Sequence, residues 1–206
     1  MKRNLIAILS ALLLAFALIG CSSEEGESAM EQAKESASKA ADSASDMAKD
    51  AGDAIELRIH SLGGWDAADA GRSLAAAAAG VFGMQVKAFP ARSRERRGQP
   101  TTYAAVLSTK PLRLNHELRR VDIAIAHDPG VFRHSDPLDG MRDGGVLVLP
   151  GDRPDEELWN ELPQTAQWAI RERGIRLAVL DGAAIARDVS DDPARRNRLR
   201  ALAFLG

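Results

Sequence analysis

Residues 54–98 read AIELRIHSLGGWDAADAGRSLAAAAAGVFGMQVKAFPARSRERRG, and this stretch decides the fold class. Within 55–59, apolar residues alternate with polar ones, which is the period of a strand with two different faces. An alanine-rich segment of high helix propensity follows, and we expect it to end at Gly80 or Gly83. Residues 84–89 then read as a second strand. Strand, helix and strand in this order predict a right-handed βαβ unit.

Four further strands are predicted downstream, at 101–110, 121–126, 146–149 and 175–180. The second of these, VDIAIA, is nearly all apolar, as is typical of a strand buried on both faces. One helical pattern with a continuous apolar face runs from Pro154 to Gly174, and two more helices begin near 181 and 193. Alternating strands and helices predict an α/β domain over 54–206, with an open, mostly parallel, Rossmann-like sheet covered by helices on both faces.

Three phrases in this domain resemble one enzyme family. They are the turn SLGGWD at 61–66, the loop ERRG at 95–98 and the phrase STKP at 108–111. Together they resemble the gamma domain of the 2-oxoacid:ferredoxin (pyruvate/ketoisovalerate) oxidoreductases, which opens with a strand, a GxGGxG-type turn and a small-residue helix. The later phrases VDIAIAHDP and LDGMRDGGVLVLPG follow the order of that family. The resemblance covers the chain from Ala54 onward.

The resemblance implies a subunit that is not catalytic alone. The reaction it implies is oxidative decarboxylation of a 2-oxoacid to an acyl-CoA, with thiamine diphosphate, iron–sulfur clusters and CoA on partner alpha and beta subunits. No cofactor is expected on this chain. The family continues beyond the phrase that ends here at Gly206, so the resemblance implies either a shortened domain or final helices that are dispensable here.

The glycine turn and the basic loop hold most of the candidate contact residues. Arginine forks bind carboxylate and phosphate bidentately, so the loop predicts an anion or subunit contact, with a solvated surface loop as the alternative. Asp66 would place a negative charge at the helix start, which disfavours phosphate at the turn. The candidates are Gly63, Gly64, Trp65, Glu95, Arg96, Arg97 and Gly98.

Asp128 is a further candidate, because it follows a buried strand at the edge where open parallel sheets bind ligands. The alternative is a carboxylate that caps a short helix. His127 and His134 match no ligand spacing that fixes metal geometry, so no metal site is predicted. We interpret His60 as an isolated structural residue, and Trp159 and Trp168 as core residues, with interface anchors as the alternative for the two tryptophans.

The N-terminus has the pattern of a bacterial lipoprotein signal. Lys2 and Arg3 precede an apolar run at 5–19, and Leu18 to Cys21 resembles a lipobox. Lipidation of Cys21 would anchor the chain in the cell envelope. Ser22 after the cysteine is compatible with the periplasmic face of an outer membrane. An ordinary signal or an uncleaved anchor is the alternative for residues 1–21.

Residues 22–53 predict a helical stalk between anchor and domain. Alanine and methionine recur at spacings of three and four residues from Met30 to Ala54, which forms an a/d seam able to self-associate. A solvated, partly helical linker is the alternative. Neither interpretation assigns a catalytic or ligand-binding residue to this segment.

Composition limits the remaining functions. A formal net charge of -2 gives no reason to expect nucleic-acid binding. Two hypotheses remain open, namely the oxidoreductase subunit and a membrane-anchored envelope lipoprotein whose α/β domain is a non-enzymatic binding or structural module. Ferredoxin-linked chemistry belongs to the cytoplasm, which would be the location if the N-terminus is misassigned.

Overall fold

The computed structural model describes residues 54–62, 66–90, 100–112, 120–151 and 154–204. Within these segments no helix is both long and apolar enough to cross a bilayer. The elements, in chain order, are β1 Ala54–Ser61, α1 Asp66–Gly80, β2 Gln85–Pro90, β3 Thr101–Ser108, β4 Val121–Ala126, a 3-10 helix Pro129–Arg133, β5 Met141–Pro150, α2 Asp155–Glu161, α3 Gln164–Glu172, β6 Arg176–Leu180, α4 Gly182–Val189 and α5 Pro193–Ala203.

All six predicted strands form, and they make one sheet in the order β2-β3-β1-β4-β5-β6. Strands β1, β4, β5 and β6 are parallel, whereas β3 runs antiparallel to both of its neighbours. The predicted mostly parallel sheet is therefore confirmed.

The predicted βαβ unit is wrong in one respect, because β1 and β2 are not neighbours. Strand β3 lies between them and pairs with β1 over its full length, from Ala54 opposite Ser108 to Ser61 opposite Thr101. Strand β2 becomes an edge strand, with half-exposed or exposed residues throughout and Pro90 at its end. A proline at the end of an edge strand costs no hydrogen bond within the sheet.

Helices cover both faces of the sheet, as predicted. On one face, apolar residues of α1 and α5 pack against Ile55, Leu57 and Ile59 of β1. On the other face, residues of α2 and α3 pack against β4 and β5, including Leu147 and Leu149. The two clusters give a three-layer α/β domain.

The single helix predicted after Pro154 is two helices, because a proline interrupts it. Pro163 restricts Leu162 to extended backbone, which ends α2 and starts α3. Trp168 of α3 faces outward, and its exposed fraction is 66%. The prediction of a core residue is wrong for Trp168, whereas Trp159 packs against the core and beneath the guanidinium of Arg171.

A buried carboxylate joins β1, β4 and β5 near the N-terminal ends of the parallel strands. Asp122 Oδ2 accepts a hydrogen bond from Glu56 N at 2.8 Å, and its other oxygen accepts from the guanidinium of Arg142. The pairing of β4 with β5 is irregular at this point, between Val121 and Ile123. Asp122 therefore accepts a hydrogen bond from a backbone N–H of β1 and also neutralises the charge of a guanidinium on β5.

We expect Asp122→Asn to lower the free energy of unfolding by about 2 kcal/mol. The new amide NH₂ must face either the N–H of Glu56 or the guanidinium of Arg142, so a donor opposes a donor. Urea denaturation measures the loss. The matched control is Asp143→Asn on β5, whose 83% exposed side chain pairs with Arg173 and should change stability by no more than about 0.5 kcal/mol. Equal stability of both variants would contradict this role.

Candidate functional site

The C-terminal ends of the parallel strands meet at one edge of the sheet. From β1 the chain proceeds to β2 and β3 on one side, and from β4 it proceeds to β5 and β6 on the other. The point between β1 and β4 is therefore a topological switch point, where open α/β sheets bind ligands. Here the backbone N–H of His127 donates to the carbonyl of His60 at 3.0 Å. This hydrogen bond brings two histidines together at the switch point.

Both histidines are buried and both are hard to protonate. His60 is 3% exposed and His127 is 6% exposed. Burial, with smaller contributions from the charges of Arg58 and His127, lowers the pKa of His60 to about 4. Burial and then the charge of Arg200 lower the pKa of His127 to about 4. At neutral pH both imidazoles are therefore neutral, and each offers one donor and one acceptor.

Their hydrogen bonds are incomplete. His60 Nδ1 lies 3.2 Å from Thr102 Oγ1 on β3. His60 Nε2 and both ring nitrogens of His127 have no hydrogen-bond partner in the part of the chain that the structure describes. The ring of His127 instead contacts that of Phe204, with 4.8 Å between centroids.

A small crevice of 40 Å³ opens beside His127, at the ends of β4, β5 and β6. Asp128, Asp181 and Arg200 of α5 are among the residues that line it. Both carboxylates also act as helix caps. Asp128 Oδ1 accepts from Gly130 N at 2.6 Å, and Asp181 Oδ1 accepts from Ala184 N at 2.8 Å. The crevice thus has charged walls of both signs and a buried neutral imidazole.

Asp128 is the one predicted candidate that the described segments contain. It forms the cap that was given as the alternative interpretation, and it also lines the crevice, so its position is compatible with both. The remaining candidates lie outside the described residues, namely Cys21, Gly63, Gly64, Trp65, Glu95, Arg96, Arg97 and Gly98.

The description of His60 as isolated is wrong, since the fold places it beside His127. Sequence reasoning also missed Asp181 and Arg200. Asp181 could have been found, because it follows β6 as Asp128 follows β4, and residues after parallel strands share one edge. Arg200 lies in a helix with several other arginines, and its sequence gives no sign that α5 ends at this edge. Among the described residues, no three histidine, cysteine, aspartate or glutamate side chains group as metal ligands.

Comparison with known proteins identifies the family. A family model described as pyruvate ferredoxin/flavodoxin oxidoreductase matches residues 56–206. The pyruvate/ketoisovalerate oxidoreductases common subunit gamma of Thermococcus kodakarensis is 31% identical over 135 residues, which are 66% of this chain and 68% of the relative. Pyruvate synthase subunit PorC of Methanothermobacter thermautotrophicus is 35% identical over 95 residues, which are 46% of this chain and 52% of the relative.

A solved 2-oxoglutarate:ferredoxin oxidoreductase from Magnetococcus marinus is 20% identical with a TM-score of 0.49, over 72% of this chain and 23% of that one. The family model spans the sheet from Glu56 of β1 onward and all the helices described above. The chain belongs to the pyruvate ferredoxin/flavodoxin oxidoreductase family.

Proposed function

We propose that the chain is a gamma-type accessory subunit of a 2-oxoacid oxidoreductase, and that it supports oxidative decarboxylation of a 2-oxoacid to an acyl-CoA by partner alpha and beta subunits. The observation that carries this proposal is the family match over residues 56–206. The gamma and PorC relatives are named as subunits, which favours an accessory role over a stand-alone binding module.

The cofactors of the reaction are assigned to the partner subunits. An iron–sulfur cluster of the common kinds takes four cysteine thiolates. The chain has a single cysteine, Cys21, so its donor set does not fit a cluster. We therefore place the clusters, together with thiamine diphosphate, on the alpha and beta chains.

Arg96 and Arg97 are the residues that we assign to subunit contact. The assignment rests on the family resemblance of the ERRG loop and on the ability of a guanidinium to bind carboxylates bidentately. A partner that presents acidic side chains fits this chemistry.

Affinity purification of the tagged full chain from its native host tests the proposal. We expect alpha and beta subunits to co-purify, and the complex to reduce a viologen dye in the presence of a 2-oxoacid. The double variant Arg96→Ala/Arg97→Ala should lose the partners, whereas Arg195→Ala, an exposed arginine of α5, should keep them. Turnover by the isolated chain, or a native complex without it, would refute the accessory role.

We also infer that Cys21 is diacylated and anchors the chain to the cell envelope. The support is the basic start at Lys2 and Arg3, the apolar run and the lipobox-like LIGC. Several acyl chains on one residue give stable membrane attachment. Residues 22–53 would then space the domain from the bilayer and self-associate through their alanine seam, which chemical cross-linking of the membrane-bound chain tests.

Cys21→Ser is expected to abolish labelling by radioactive palmitate and to move the chain out of the membrane fraction, because the acyl acceptor thiol is lost. Ser22→Ala is the matched control and should leave both unchanged. Globomycin, which blocks lipoprotein signal cleavage, should make the wild-type chain accumulate unprocessed. A soluble wild-type chain that keeps its N-terminus would contradict the anchor and favour the cytoplasm.

A further inference from the structure

His127 is a buried polar side chain whose partner is missing. It lines the crevice at the ends of β4, β5 and β6, and within the described segments neither of its ring nitrogens has a hydrogen-bond partner. Nearly all buried polar groups in folded proteins are hydrogen-bonded, and an unsatisfied one costs about 1–3 kcal/mol. Among the described residues no group supplies this partner, whereas the crevice beside His127 gives a ligand access to it.

The charges around the crevice restrict what can enter. Asp128 and Asp181 each use one oxygen as a helix cap, and the other oxygen of Asp181 lies 4.0 Å from the guanidinium of Arg187. A carboxylate retains further lone pairs for a ligand. Arg200 presents only donors. A simple anion would face two carboxylates, and a simple cation would face the guanidinium. A neutral ligand with hydroxyl groups can form hydrogen bonds with both carboxylates and with the guanidinium, because a hydroxyl both donates and accepts.

The size of the crevice selects the part of the ligand that is enclosed. A volume of 40 Å³ holds about three water molecules. That space accommodates two neighbouring hydroxyl groups at the edge of a ring, while the rest of the ring lies at the open mouth. Pro150 and Phe204 supply apolar walls, which suit the C–H face of a sugar.

We propose that this crevice binds the vicinal-diol edge of an uncharged sugar ring, with hydroxyls donating to Asp128 and Asp181 and pairing with His127. The ring is either a free sugar or the ribose of a nucleoside, since both present the same diol. The inference goes beyond the subunit role and is independent of it, because it uses residues of this chain alone. Its failure would leave the co-purification experiment unaffected.

Proton–nitrogen NMR of the histidine side chains in the full chain at neutral pH tests the site. The probes are D-ribose, uridine, 2′-deoxyuridine and inorganic phosphate. We expect a saturable shift of the His127 ring signals with ribose and uridine. 2′-Deoxyuridine lacks the vicinal diol and should give none, a comparison that needs no variant. Tighter binding of uridine would identify a nucleoside, and equal affinity would identify a free sugar.

Asp128→Asn and Asp181→Asn are each expected to raise the apparent Kd for the diol about tenfold. Asparagine caps helices about as well as aspartate, so both variants should remain folded. Asp143→Asn, at an exposed position on β5, is the matched control and should bind as the wild type does. Equal binding of deoxyuridine, a shift with phosphate alone, or no saturable shift with any probe would overturn the proposal, the last because water then satisfies His127.

Discussion

Acidification from about pH 7.5 to about pH 5 is expected to remove about 4 kcal/mol from the free energy of unfolding. The cause is the pair His60 and His127, whose pKa values are about 4 in the folded chain against 6.5 for a free imidazole. Because the folded-state pKa is depressed, the unfolded chain binds more protons between these two values. The stabilisation is complete above pH 6.5 and is lost as the pH falls toward 4. At pH 5 each imidazole accounts for a loss of about 2 kcal/mol from the free energy of unfolding.

Urea denaturation at successive pH values measures this loss. His127→Phe keeps a ring against Phe204 but removes one titrating group, so the variant should lose only about 2 kcal/mol over the same range. Most carboxyl groups titrate below pH 5, which separates their effect from that of the histidines. Added salt should change the result little, since burial is the largest cause of both shifts and ions screen buried groups weakly. An identical loss in wild type and variant would assign the pH dependence to other groups.

The strands could be predicted from the sequence, whereas their order could not. Alternation in β1 and the apolar run of β4 follow from which faces are buried, and burial is a local property of each strand. The insertion of β3 between β1 and β2 depends on pairing, and the pattern of a strand does not specify its partner. The division of α2 from α3 was predictable, because Pro163 disfavours helical backbone at Leu162.

The site shows the same division between local and distant information. The cap formed by Asp128 depends on residues two positions apart, and the sequence suggested it. The pair of His60 and His127 depends on β1 and β4 being neighbours, and the crevice further requires α5 to return to the edge of β4. Neither histidine lies in a sequence motif that predicts the contact between His60 and His127.

The close approach of α1 to β3 leads to the other large expected effect, because it leaves no room for a side chain at Gly71. A Cβ placed there would lie within 2.7 Å of the Cγ, Cδ1 and Cε1 atoms of Tyr103. Tyr103 is itself buried and cannot swing into solvent. Gly71→Ala should gain about 1 kcal/mol of helix propensity, but the clash should exceed that gain and leave a net loss of about 3 kcal/mol.

Thermal and urea denaturation of three variants would test this expectation. Gly80→Ala, at the end of the same helix, is the matched control, since a Cβ there meets nothing within 4 Å and the change should be neutral or mildly stabilising. Tyr103→Ala removes the ring that obstructs position 71, so the double variant Gly71→Ala/Tyr103→Ala should be more stable than the sum of the two single losses implies. Strict additivity in this cycle, or a stable Gly71→Ala protein, would show that α1 can move away from β3 and that the glycine is not required for their packing.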